Sequence, residues 1–434
     1  MAHGNRYIQA IIFLIFFVSC TTSKNPFFSK RSQHEKYADA LKNAGLEQSA
    51  LGKAWFEAAG ESLSHPLTVN LPFKETGYFT AAKPAATGLL LNVKRGEKIN
   101  IHLATIPATG IHVFTELWLQ TGDKFSLADA PDTSSNQFED VIKKDARYIL
   151  RIQPELLANV EYTVTITSGP SLAFPVDSSG KPNIISYWGV SRDAGARRHE
   201  GVDIAAKFRT PALAATDGSI GSVTENNLGG KVVFLFDPKT QNSLYYAHLD
   251  SQIVHPGERV KTGDTIGLIG KTGNAIHTVP HLHFGIYTGS GAIDPLPFID
   301  NKKIAVKPIT APLDDLNKWL IASVATSLYN SPSAAATLIE NLKKNDAVLI
   351  TGATDDWFTV QLPNGKRGFV KSNDITNKIA GNEKTKSNTR LLDFPDSTAP
   401  AKALIPKDEE LKIAGSFDGY NLAEYKDLSG WVLK

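Results

Sequence analysis

The strongest constraint on what this chain folds into is a period of two. Polar and apolar residues alternate in Ile99-Asn-Ile-His-Leu103, Tyr148-Ile-Leu-Arg-Ile152 and Tyr162-Thr-Val-Thr-Ile166. Successive side chains of a strand point to opposite faces, so such runs specify half-buried strands rather than helices. Turn residues punctuate them, and residues 65–172 read as a β-sandwich domain. Trp118, Tyr148 and Tyr162 fall at strand spacing and are read as core rather than as a sugar-binding face. With 434 residues, against about 100–200 for an ordinary domain, several modules are expected. The fold class is mainly β and multi-domain.

The last hundred residues repeat themselves. Pro332, Gly352 and Trp357 recur 63 residues later as Pro395, Gly415 and Tyr420, and Gly368-Phe-Val370 recurs 62 later as Gly430-Trp-Val432. Two copies of one small fold follow, over 325–378 and 387–434. They resemble the bacterial Src-homology-3-like barrels that accompany wall hydrolases. That resemblance implies binding to the wall, with Trp357 and Trp431 as recognition surface. Residues 301–324 are read as a linker helix. Toward the other end, Tyr37, Leu41, Leu46, Leu51 and Trp55 lie among charges and predict one or two short helices in a spacer over 20–64.

The first residues follow a different rule. After Arg6, the run from Ile8 to Val18 is apolar, too short to span a bilayer but suited to the core of a secretion signal over 1–19. It ends in Phe17-Val-Ser-Cys20, which resembles the lipobox of bacterial lipoproteins. The resemblance implies that Cys20 is lipidated and anchors an exported protein to a membrane. Thr21 after the cysteine suggests the outer membrane. Cys20 is the only cysteine in the chain, so internal disulfides are excluded. With 46 Lys plus Arg against 44 Asp plus Glu, no charge imbalance points to a polyanion, and nucleic acid is not expected as a partner.

The chemistry concentrates at 176–300, where six of the eleven histidines lie: His199, His248, His255, His277, His281 and His283. In His281-Leu-His283 two imidazoles share one strand face while Leu282 and Phe284 enter the apolar layer. Two charged rings side by side repel, and a metal relieves this. His199-Glu-Gly-Val-Asp203 adds an imidazole and a carboxylate four apart, and Tyr245-Tyr-Ala-His248 places another imidazole near a strand end. Glycines at 218, 257, 263, 267, 270 and 273 imply short strands and tight turns in a compact sheet domain.

Arg198-His-Glu-Gly-Val-Asp-Ile204, Pro211 to Gly218, Tyr246-Ala-His-Leu249, Val260 to Gly270 and Pro280-His-Leu-His-Phe284 resemble, in that order, the lysostaphin- and LytM-type zinc metallopeptidases. The resemblance implies one zinc per chain held by His199, Asp203 and His283. It leaves His281 to move protons and His248 to stabilise the oxyanion, with cell-wall peptidoglycan as substrate. The alternative is a LytM-like protein that activates another wall hydrolase without catalysis. Two departures bear on substrate preference: the link from Asn274 to Pro280 is about two residues longer than usual, and Gly285 stands where an acidic residue is common. His277, within that link, is read as a polar loop residue.

Overall fold

The computed structural model describes residues 31–131 and 137–434. The signal-like segment and Cys20 lie outside the described residues. Among those described, no helix is long and apolar enough to cross a membrane.

The middle of the chain forms one ten-stranded sheet: β1 (Asn183–Ser186), β2 (Val202–Ala205), β3 (Pro211–Leu213), β4 (Gly218–Asn226), β5 (Gly230–Asp237), β6 (Asn242–Gln252), β7 (Arg259–Val260), β8 (Thr265–Ile269), β9 (His281–Thr288) and β10 (Gly291–Ile293). The main spatial order is β1-β2-β9-β6-β5-β4-β7, with β8 pairing β3 and β6 and β10 pairing β9. Val202, Ile204, Tyr246, Leu282, Phe284 and Ile286 turn one face into a fully buried core. The opposite face of β2, β9 and β6 is left for polar groups.

Upstream, helices α1 (Gln33–Asn43) and α2 (Ala50–Ser64) begin at Ser32 and Ser49, whose hydroxyls accept from backbone N–H groups of the first turn. They are not the free spacer expected from the sequence. Trp55 is 1 % exposed, stacks on His34 with ring centroids 4.6 Å apart, and donates its indole N–H to Pro154 O at 2.8 Å. Such burial makes 33–64 part of the following β domain. There, a five-stranded sheet and the strands Phe73–Phe79, Glu97–Ile106 and Val160–Pro170 contribute to one apolar core that contains Tyr148 and Tyr162.

The linker helix expected at 301–324 is absent. Leu313–Asp315 makes a single 3-10 turn, and Trp319–Ala322 is a strand paired with Ala347–Thr354. Pairing along an open strand edge outweighs local helix propensity here. The first repeat therefore starts at Trp319 and the second, by the equivalent strand Gly381–Lys384, at Gly381, each ahead of the expected limits at 325 and 387. From those strands onward both copies run through the same spatial order of six strands, and neither order closes into a ring. Trp357 and Trp431 are 4 % and 2 % exposed, so they are core residues and not the recognition surface expected of them.

The first repeat also continues the N-terminal sheet, since Thr76 pairs with Ala353 and Gly77 with Gly352. Beneath that seam the buried Glu75 accepts from the Tyr162 hydroxyl at 2.8 Å and from Thr359 Oγ1 at 2.7 Å. Residues more than 280 apart in sequence thus share one buried polar junction, and the ten-stranded domain is inserted between the two parts it joins.

Candidate active site and metal centre

Strand parity places half of the site. Val202 and Ile204 are buried in the core, as are Leu282 and Phe284, so Asp203, His281 and His283 point to the opposite face. The register sets Asp203 against His283 and Ala205 against His281. His199 arrives from outside the sheet, just after a two-stranded hairpin of Ser191–Arg192 and Arg197–Arg198. Its backbone N–H donates to Val190 O at 2.9 Å.

His248 breaks parity. Tyr246 is fully buried and Ala247 pairs with His283, so unbroken alternation would drive His248 into the core. Instead the β5–β6 ladder slips between Tyr246 and Leu249, and His248 takes a φ of 61°. The bulge turns the ring onto the site face. Left-handed backbone at a non-glycine residue costs about 1–2 kcal/mol. The hydrogen bond from the His248 N–H to Gly229 O at 2.7 Å helps to offset it.

Three donor atoms converge. His199 Nε2 lies 3.0 Å from Asp203 Oδ1 and 3.0 Å from His283 Nδ1, and His283 Nδ1 lies 2.9 Å from Asp203 Oδ1. The second nitrogen of His199, Nδ1, is 2.8 Å from Tyr187 O. Only an Nδ1–H satisfies that carbonyl, so in the neutral ring Nε2 carries a lone pair. A carboxylate oxygen and an unprotonated nitrogen therefore face each other with no proton of their own between them, an arrangement a cation relieves. The edges are close to the roughly 3.3 Å spacing that metal–donor distances of about 2.0–2.1 Å impose on a tetrahedron. The chemistry of the donor set thus fits a metal ion, and His199, Asp203 and His283 together are able to hold one. Burial opposes ionisation of Asp203, but the His199 and His283 rings outweigh it when they are protonated and so able to donate to the carboxylate, and they then hold the carboxyl far below the usual range.

The other two histidines have fixed tautomers as well. His281 Nδ1 sits 2.8 Å from Val279 O and His248 Nδ1 sits 2.9 Å from Thr272 O. Both rings therefore donate from Nδ1 and keep Nε2 as an acceptor when neutral. His281 Nε2 is 4.0 Å from Asp203 Oδ1, and the two ring centroids are 4.9 Å apart. Burial, then the fields of His281 and His283, lower the His248 pKa to about 4. A neutral His248 is an acceptor, so the oxyanion-donor role expected of it requires that it first take up a proton.

The five residues line an open groove of about 1170 Å³, whose walls come only from residues between Ile185 and Tyr287. Neither the helical and β domain before it nor the repeats after it contribute to the lining. His255 and His277 are exposed and stand apart from the cluster. Sequence reasoning missed three contributors. Gly201 fits where a Cβ would come within 2.7 Å of His283 Nε2 and 2.6 Å of Phe284 O, and its place inside His199-Glu-Gly-Val-Asp203 was the available signal. Arg192 Nη2 donates to Asp203 Oδ2 and to Ser186 Oγ, each at 2.7 Å. Neither Arg192 nor Ser186 belongs to a periodic pattern, and nothing in the sequence singles them out.

A mainly β domain thus carries, in the lining of an open groove, a His-Asp-His cluster able to hold a metal ion. Residues 197–295 match the model of Peptidase family M23. The chain is 40 % identical over 88 residues to the peptidoglycan DD-endopeptidase ShyC of Vibrio cholerae, covering 20 % of each protein. It is 33 % identical over 144 residues to lysostaphin of Staphylococcus simulans, covering 32 % of this chain and 29 % of that one. With the L-Ala--D-Glu endopeptidase of Bacillus subtilis it shares 32 % over 139 residues, 29 % of this chain and 42 % of that one. The chain thus spans well under half the length of these relatives. Among solved structures, the lysostaphin catalytic domain is matched over 99 % of its length and 29 % of this chain, at 29 % identity and a TM-score of 0.26.

Proposed function

We propose that the chain is a zinc-dependent endopeptidase that hydrolyses peptide cross-links of cell-wall peptidoglycan, with one zinc per chain. The observation that carries this reading is the set of three donors with 2.9–3.0 Å edges beside two histidines whose Nε2 atoms are acceptors. The endopeptidases to which residues 197–295 are similar support it.

What bound zinc supplies at such a site is Lewis acidity and a water whose pKa falls to about 7. His199, Asp203 and His283 are the ligands, two neutral and one anionic. His281 Nε2 accepts a proton from the attacking water as the water oxygen bonds to the scissile carbonyl carbon. When the C–N bond breaks, the same nitrogen returns the proton to the leaving amine. His248, once protonated, presents an Nε2–H to the oxygen that carries the developing charge. The groove positions the peptide across these groups, and an open cleft suits a polymer better than an enclosed cavity does.

The remaining features fit an envelope protein. The N-terminal β domain has the layers of a sandwich, the repeats are small Src-homology-3-like units that hold the enzyme near its substrate, and Cys20 anchors the chain by lipid, at the outer membrane. The reading as a non-catalytic activator gains no support, because all five site positions are kept. The test is digestion of purified peptidoglycan with the full chain, followed by mass analysis of released fragments. New amine and carboxyl ends that vanish on chelation and return with zinc are expected. An intact wall in the presence of a zinc-loaded, folded chain would sink the proposal.

A further inference from the structure

We propose that Arg192 is a positioning residue of the metal site, which holds Asp203 in the one orientation that leaves a single oxygen for the metal. The inference rests on the zinc reading above.

The two oxygens of Asp203 have separate partners. Oδ1 faces the ring nitrogens of His199 and His283 at 3.0 and 2.9 Å, whereas Oδ2 accepts from Arg192 Nη2 at 2.7 Å. The same Nη2 donates to Ser186 Oγ, also at 2.7 Å. Ser186 lies on β1, directly paired with Asp203 of β2. One nitrogen of the planar guanidinium, Nη2, is therefore tied to two neighbouring strands at once, which restricts its freedom to swing away. The Arg192 and Asp203 side chains are 29 % and 12 % exposed, so this is not a pair on open surface, where solvent screening leaves little.

The hairpin explains how the group gets there. Arg192 pairs with Arg197 and Ser191 with Arg198, the residue before His199. Backbone bonds between Gly189 and His199 and between His199 and Val190, each 2.9 Å, close the base of the loop. One local structure thus delivers a metal-ligand imidazole and the cation that orients the ligand carboxylate. Two effects oppose each other. A guanidinium near a dication repels it, so removing the charge favours metal binding. Removing the tether frees the carboxylate to rotate, and outer partners of metal ligands typically matter by about 10–100-fold in affinity. Because the cation sits on the far oxygen, with the carboxylate between it and the three-donor cluster, the orienting effect wins.

The experiment is a chelator-competition titration of zinc into metal-free full-length protein, wild type beside R192Q, R192K and S186A, with circular dichroism and unfolding midpoints for each. Zinc affinity should fall about 10–100-fold in R192Q and several-fold in S186A. R192K, which keeps the charge without the fork, should recover only part. At saturating zinc, R192Q should regain cleavage to within about tenfold of wild type, since its defect lies in metal retention. A folded R192Q with wild-type or tighter affinity overturns the inference, as does a cleavage defect that saturating zinc leaves untouched. If R192Q does not fold, unchanged affinity in folded S186A and R192K overturns it equally. A wild-type chain without zinc affinity would instead sink the zinc reading itself.

Discussion

Asp203 and His283 are directly opposed across neighbouring antiparallel strands, and the His283 Nδ1 atom lies 2.9 Å from Asp203 Oδ1 although 80 positions separate them in the chain. Two residues removed along β9, His281 occupies the same face but donates its Nδ1–H to Val279 O. Substitution at the two histidines should fail differently. His283→Ala, like His199→Ala and Asp203→Ala, removes one of the three converging donors, and zinc content should fall together with cleavage. His281→Ala should keep about one zinc per chain while turnover drops by roughly two to four orders of magnitude. Elemental analysis beside a cleavage assay on the same preparations decides it, and loss of zinc from His281→Ala would refute the division of roles.

Gly201→Ala should damage the site without removing any donor. The added Cβ would meet Phe284 O at 2.6 Å and the His283 ring at 2.7 Å, and overpacking of this kind costs about 1–3 kcal/mol. We expect a lower unfolding midpoint and weaker zinc retention, read by calorimetry and dialysis. An alanine variant indistinguishable from wild type in both would show that His283 has room to move.

Removing both repeats should weaken the N-terminal domain. A chain ending near Pro312 loses Thr359, leaving one oxygen of the buried Glu75 without its donor, and uncovers the strand paired at Thr76 and Gly77. An orphaned buried polar group costs about 1–3 kcal/mol. Hydrogen exchange of residues 73–79 should accelerate in that truncation and stay near wild type in one ending near Lys378. Equal protection in all three proteins would mean the seam carries no stability.

Stability of the N-terminal domain should fall with acid. His34 Nε2 is 2.7 Å from Gln153 Oε1 and its Nδ1 is 3.1 Å from Arg151 Nη2, so the neutral ring donates to one and accepts from the other. Burial, then the Arg151 charge, lower its pKa from the ordinary 6.5 to about 4. The folded state thus binds fewer protons than the unfolded state between these values. The sign follows: the contribution is complete above about pH 6.5 and is lost as pH falls toward 4, on the order of 3 kcal/mol in all. Glu116, kept ionised against burial by Arg151 and His34, adds a loss in the same direction at lower pH. Urea midpoints of the full chain and of His34→Gln at pH 7 and pH 4.5 measure it, and an equal pH dependence in both would exclude His34 as the source.

Cys20→Ser should release the chain from membranes, because on the proposed reading the anchor is a lipid carried by that cysteine. Fractionation with and without detergent reads the outcome. A serine variant that still sediments with membranes removes the lipid-anchor proposal.

The alternation of Leu282 and Phe284 with His281 and His283 was enough to put two site residues on one face of their strand, since strand parity is a local property of the chain, whereas the strand that sets Asp203 opposite His283 is shown only by the fold. The repeat was equally legible, because two copies of one sequence dictate two copies of one strand order. His248 was legible as an imidazole near a strand end, and its role only through family resemblance: by parity it belongs in the core, and a bulge set by pairing with β5 brings it out. The pairing of Trp319–Ala322 with Ala347–Thr354 overrode an apparent helix. Trp357 and Trp431 became core for the same kind of reason, the presence of neighbouring strands that the local sequence does not announce. Arg192 and Ser186 lie in short stretches without periodicity, so only the folded hairpin shows them holding Asp203. Residue type and spacing determined which groups are available for chemistry, while register, bulges and long-range pairing decided which of them meet, because those depend on contacts between segments far apart in the chain.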